Sequence, residues 1–118
     1  RIEILDEEGR HAISVVTVTE LRLGVNRQYD RGTDAHQEAM DALERLYSRF
    51  EVIDVTRAVS VAAADIIATL RNRGEPLHDL HDVYIAGTAR TEQLPVLTGN
   101  VDHFERIDGV DVTDWTEL

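Results

Sequence analysis

The chain carries 118 residues, 42% of them hydrophobic and 30% charged, with 23 acidic side chains against 12 basic ones and a formal charge of -11. All 12 are arginine, and there is neither lysine nor cysteine. That excludes a P-loop, Schiff-base chemistry, a response-regulator receiver, a thiolate nucleophile, a zinc ribbon and an iron–sulfur cluster.

No apolar run approaches the roughly 20 residues of a membrane span, and the polar start does not resemble a signal peptide, so a soluble, cytoplasmic domain without disulfides is expected. Helical and extended patterns alternate along it. Residues 2–8 read as the end of a helix closed by Gly9. Residues 12–16 are a short, β-branched-rich strand. Thr17 starts a helix with Leu21 and Val25 on one face. A further helix over 34–49 places Ala39, Leu43, Leu46 and Phe50 on one stripe. Residues 52–55 form a second strand. Val59, Ala62, Ala63, Ile66, Ile67 and Leu70 then line a helix that Gly74 and Pro76 terminate. Residues 82–90 read as a short helix with Ile85, Ala86 and Ala89 inward, followed by strands at 95–98 and 110–112. Strands spaced by helices predict an α/β class: a three-layer α/β/α arrangement with a central parallel sheet, which binds ligands beyond the carboxyl ends of its strands.

Such an acidic chain repels nucleic acid unless a bound divalent cation reverses the sign locally. Most of the acids read as solvated surface. A lysine-free, acidic surface suits either a high-salt cytoplasm, where charges are screened within about 3 Å at 1 M salt, or a high-GC codon bias.

Three groups fall at predicted strand ends. Glu20 follows the first strand; Thr17 and Glu20 also spell a capping box, in which the glutamate satisfies a free amide at a helix start. Asp82 opens a helix, where the helix dipole favours an acid by about 0.3 to 1 kcal/mol. Asn100 and Asp102 follow Thr98, and Gly99 and Asn100 also suit a turn. Each residue alone is explained structurally. Together, hard oxygen ligands from separate segments at one sheet edge make a Mg²⁺ or Mn²⁺ site, which neutralises a phosphate and activates water. His78, Asp79, His81 and Asp82 could instead take a softer metal, but a helical phosphohydrolase of that kind conflicts with the strands. His11 and His36 read as surface, and His103 lies close enough to Asp102 to be a candidate for supporting it as a ligand. Phe50 and Phe104 read as core, and Trp115 as a clamp on the last strand. The aromatics are too few for a base-stacking platform.

The segment Ile13-Ser-Val-Val-Thr-Val-Thr-Glu20-Leu-Arg-Leu-Gly24-Val resembles the second acidic motif of PIN-domain ribonucleases, in particular VapC toxins. Gly74, Leu77 and Asp82-Val-Tyr-Ile85-Ala86-Gly-Thr-Ala89 resemble the third motif, and Leu97-Thr98-Gly-Asn100-Val-Asp102-His-Phe104 the fourth. The resemblance covers essentially the whole chain, in order. It implies a metal-dependent endoribonuclease that hydrolyses RNA phosphodiesters with Mg²⁺ or Mn²⁺, is usually a homodimer, and is neutralised by a cognate VapB-like antitoxin. Glu20 and Asp82 carry over as metal ligands and catalytic acids. The fourth position falls on Asn100 or Asp102; Asp102 is taken as the ligand, with Asn100 and Thr98 contacting substrate or metal-bound water. An antitoxin would present a basic or amphipathic segment to the acidic groove.

The family opens with a central strand ending in an aspartate, some 35 residues before the glutamate. Asp6 is only fourteen residues before Glu20, too close for the intervening strand, helix and strand. Residues 1–9 are therefore read as the tail of a crossover helix, and residues 1–118 as one N-terminally incomplete PIN-like domain. A catalytically inactive PIN-like module binding a protein partner or RNA is the alternative. A receiver-like use of Asp54 is excluded by the missing lysine.

Overall fold

In the computed structural model, which describes residues 4–7, 10–76 and 79–114, five strands form one sheet in the order β3-β2-β1-β4-β5. The strands are β1 (Ile4–Glu7), β2 (Arg10–Ser14), β3 (Glu51–Ile53), β4 (Val96–Thr98) and β5 (Val112–Asp114). The helices are α1 (Val15–Gln28), α2 (Asp34–Tyr47), α3 (Arg57–Asn72), α4 (Leu80–Glu92) and α5 (Val101–Glu105).

The sheet is mixed. Strands β2 and β3 pair in parallel, with Ile13 opposite Val52, and β4 and β5 pair in parallel, with Leu97 opposite Thr113. Between them β1 runs antiparallel to both neighbours, with Leu5 opposite Ala12 on one side and Val96 on the other. The helix tail expected at 2–8 is thus replaced by a strand over Ile4–Glu7. Two physical reasons favour it. Leu5 is 0% exposed in the middle of the core. The backbone of β1 also meets hydrogen-bonding groups that β2 and β4 would otherwise leave open along their facing edges. Gly9, read as a helix cap, lies outside the described residues, between the paired Glu7 and Arg10.

The strand expected at 12–16 ends earlier, because Ser14 caps α1: its Oγ accepts from the Val16 amide at 3.1 Å. Val15 and Val16 therefore open a helix rather than close a strand. Thr56 caps α3 in the same way, accepting from the Val59 amide at 3.2 Å. The predicted stripe of α3 is largely buried through Val59, Ala63, Ile66 and Leu70.

Helix α4 is the most enclosed element, with Asp82, Val83 and every residue from Ile85 to Ala89 buried. It packs on α3 so closely that a Cβ at Gly87 would lie 3.0 Å from the Val59 carbonyl oxygen and 3.3 Å from the Ala63 nitrogen. Phe104 is fully buried as expected, joining Ile66, Leu70, Ile85 and Val96 in the core, while Phe50 is half-buried. Trp115, like Leu77 and His78, lies outside the described residues. Helix α2 packs against α1 and buries Met40.

Candidate active site

Strands β2 and β4 are both antiparallel to β1, so they point the same way and their carboxyl ends share one edge of the sheet. Ser14 ends the first and leads into α1, whereas Thr98 ends the second and leads into α5. Of the predicted residues, Glu20, Asp82 and Asp102 come from the helices α1, α4 and α5, Thr98 ends β4 and Asn100 precedes α5.

Glu20 lies in the second turn of α1, six residues past the cap. Since Ser14 occupies the cap and Thr17 is already helical, the capping-box explanation of Glu20 does not hold. The glutamate instead lines a cleft of about 390 Å³ together with Leu21, Gly24 and Asp79. Asp79 is the cap of α4, its Oδ1 accepting from the His81 amide at 2.9 Å. His81 Nδ1 lies 3.7 Å from Glu20 Oε1 and 3.7 Å from Asp79 Oδ1, so this imidazole sits between the two acids.

Asp82 stands in the first turn of α4 and is 0% exposed. Burying a carboxylate is costly unless donors meet it. The helix N-terminus supplies part of the compensation, and His103, from α5, places Nδ1 2.5 Å from Asp82 Oδ2. Asn100 places Nδ2 2.9 Å from the same ring nitrogen. The backbone of Asn100 is itself fixed, its amide donating to Oγ1 of the fully buried Thr98 at 2.9 Å.

The structure thus sets His103 against Asp82, with Asn100 beside the ring and Thr98 beneath Asn100, and sets His81 between Glu20 and Asp79. Asp102 is exposed, one position before the histidine that reaches Asp82. Asp79 and His81 belong to the softer-metal segment and His103 is the expected support of Asp102, so all three stand outside the expected set of Glu20, Asp82, Asp102, Asn100 and Thr98. Their sequence signal is spacing: Asp79 precedes Asp82, and Asn100 precedes His103, by the three residues that stack side chains along a helix.

Among the described residues no three histidine, aspartate or glutamate side chains converge as a ready-made metal cage, so the softer-metal cluster is not assembled among them. The donor chemistry nevertheless fits a hydrated hard cation. Mg²⁺ keeps several waters and uses only one or two carboxylates, and Glu20 and Asp79 face one cleft with Asp82 a turn further along α4.

A sequence profile of the PIN domain matches residues 2–110. A tRNA(fMet)-specific endonuclease VapC of Salmonella typhimurium is 33% identical over 107 residues, which cover 91% of this chain and 76% of that protein. Among solved structures, VapBC-1 from nontypeable Haemophilus influenzae superposes with a TM-score of 0.80 at 27% identity, covering 95% of this chain and 79% of the other. VapBC-5 of Mycobacterium tuberculosis, a member of the VapBC family of toxin-antitoxin systems, matches with a TM-score of 0.69 at 26% identity, covering 86% and 79%. The mixed α/β sheet, the acids in the second turn of α1 and the first turn of α4, and a match over nearly the whole chain agree: this chain belongs to the PIN-domain family.

Proposed function

We propose that the chain is a VapC-like endoribonuclease toxin, held inactive by a VapB-like antitoxin. The observation that carries this reading is the placement of Glu20 and Asp82 on neighbouring helices, α1 and α4, in a chain similar to VapC ribonucleases along most of its length. In this reading Glu20 and Asp82 hold a Mg²⁺ or Mn²⁺ ion, with Asp79 beside Glu20 on the cleft. The bound cation supplies charge neutralisation at a phosphodiester and an acidified water.

The protein's own residues do the rest. The cap at Ser14 and the close packing of Gly87 fix α1 and α4, and hence the two acids they carry. Asn100, half-exposed and held by Thr98, offers an amide to the substrate, and the exposed Asp102 is the second candidate at that position. The net charge of -11 makes RNA binding depend on the cation, and it makes a basic or amphipathic antitoxin segment the natural occupant of the cleft. We place this activity in a homodimer in the cytoplasm; among the described residues no helix is long and apolar enough to cross a membrane.

The test is RNA cleavage with and without Mg²⁺ or Mn²⁺ by the full chain and by Asp82→Asn. Cleavage that needs the cation and is lost in the variant supports the reading; equal activity in the two refutes it. A non-cutting PIN-like module that binds RNA or a protein partner is the second reading, favoured by the complete burial of Asp82 beneath His103. RNA retention without cleavage in either cation would establish it.

A further inference from the structure

We infer that His103 is a positioning residue for Asp82, acting in the ribonuclease reaction proposed above and resting on that reading. The geometry is specific. Asp82 is 0% exposed, and Oδ2 lies 2.5 Å from His103 Nδ1, closer than the roughly 2.7 to 2.9 Å of a charge-assisted N–H···O bond, so a hydrogen must lie between the two atoms. A neutral imidazole nitrogen carries either a hydrogen or a lone pair, so Nδ1 cannot both donate to Asp82 and accept from the Asn100 amide 2.9 Å away. The buried carboxylate decides the matter. A bare lone pair facing a carboxylate oxygen at 2.5 Å would be repulsive, and a half-exposed amide can turn to solvent, so Nδ1 carries the hydrogen and donates it to Asp82.

Two consequences follow from that assignment. The tautomer of His103 is fixed with the lone pair on Nε2, and the carboxylate of Asp82 is held in one rotation by a residue from another segment. The bond joins α4 to α5, and separately the Asn100 amide on Thr98 Oγ1 ties the start of α5 to the end of β4. A hydrogen bond that orients a reacting carboxylate belongs to the class of outer contacts whose removal lowers activity about 10- to 100-fold.

The experiment compares wild type, His103→Ala, His103→Asn and Asp82→Asn in steady-state RNA cleavage, with thermal unfolding of each. Asparagine can place Nδ2 where the imidazole Nδ1 sits, restoring the donor without the ring. The expected result is a loss in kcat of about 10- to 100-fold for His103→Ala with KM changed less than about threefold, and recovery to within about threefold of wild type in His103→Asn. Two-bond ¹H–¹⁵N spectra of the wild-type histidines should show His103 protonated at Nδ1. His103→Asn as impaired as His103→Ala, or His103→Ala as active as wild type, overturns the proposal, as does a ring bare at Nδ1. Should His103→Ala fail to fold, His103→Asn and the spectrum decide alone. If wild type cleaves no RNA, the ribonuclease reading falls and the reaction role of His103 with it, while the spectrum still reports the bond to Asp82. If Asp82→Asn is inactive but His103→Ala is not, only the positioning role falls.

Discussion

Replacing Gly87 by alanine sets two opposing effects against each other at the seam that carries Asp82. Alanine is the better helix former by about 1 kcal/mol, so propensity alone predicts stabilisation. The added Cβ, however, would lie 3.0 Å from the Val59 carbonyl oxygen, where ordinary contact begins at 3.4 Å, and 3.3 Å from the Ala63 nitrogen. Both opposing atoms are backbone, so relief requires α3 and α4 to move apart by about 0.4 Å, the difference between those two distances. Overpacking of this kind costs about 1 to 3 kcal/mol, which exceeds the propensity gain. We expect a net loss of about 1 kcal/mol, read as a melting temperature lower by about 4 °C for a domain of this size. Gly24→Ala is the control: it is also helical, nothing lies within 4 Å of its added Cβ, and it should melt higher than wild type. Gly87→Ala melting at or above wild type, or Gly24→Ala losing as much, would refute the packing argument.

Two further substitutions test how the site is built. Ser14→Ala removes the cap of α1 and should cost about 1 kcal/mol in denaturant unfolding; Thr17→Val should cost nothing or stabilise, because Thr17 Oγ1 is buried with no hydrogen-bond partner among the described residues. The reverse order would restore the capping-box reading of Glu20. In cleavage assays Asn100→Ala should lower kcat about tenfold or more and Asp102→Asn by less than about threefold, since it is Asn100 that touches the His103 ring beside Asp82. The opposite ranking would give the position to Asp102.

The parts of the fold legible in the sequence are those where periodicity and burial agree. The α3 stripe from Val59 to Leu70 faces the core as its spacing requires, and the small residues of α4 foretell its close contact with α3. The segment at Ile4–Glu7 misled because four residues are too few to distinguish a helix end from a strand, and the deciding partners, Ala12 and Val96, lie on different strands. Val15 and Val16 read as strand because valines favour extended backbone, whereas the side chain of Ser14, the last residue of β2, caps the helix they open. At the site, Glu20 and Asp82 stand out by their place in the motifs. His103 is legible only as a support for its neighbour Asp102; its actual partner, Asp82, lies 21 positions away and no local pattern encodes that contact.

The central claim is that carboxylates from α1 and α4 serve one hard cation. Titrating Mn²⁺ into the full chain by calorimetry, with Mg²⁺ as competitor, tests it most directly. The expected result is binding that Mg²⁺ displaces and that Glu20→Gln and Asp82→Asn each weaken by about tenfold or more. Mn²⁺ bound with the same affinity by wild type and by both variants would contradict it.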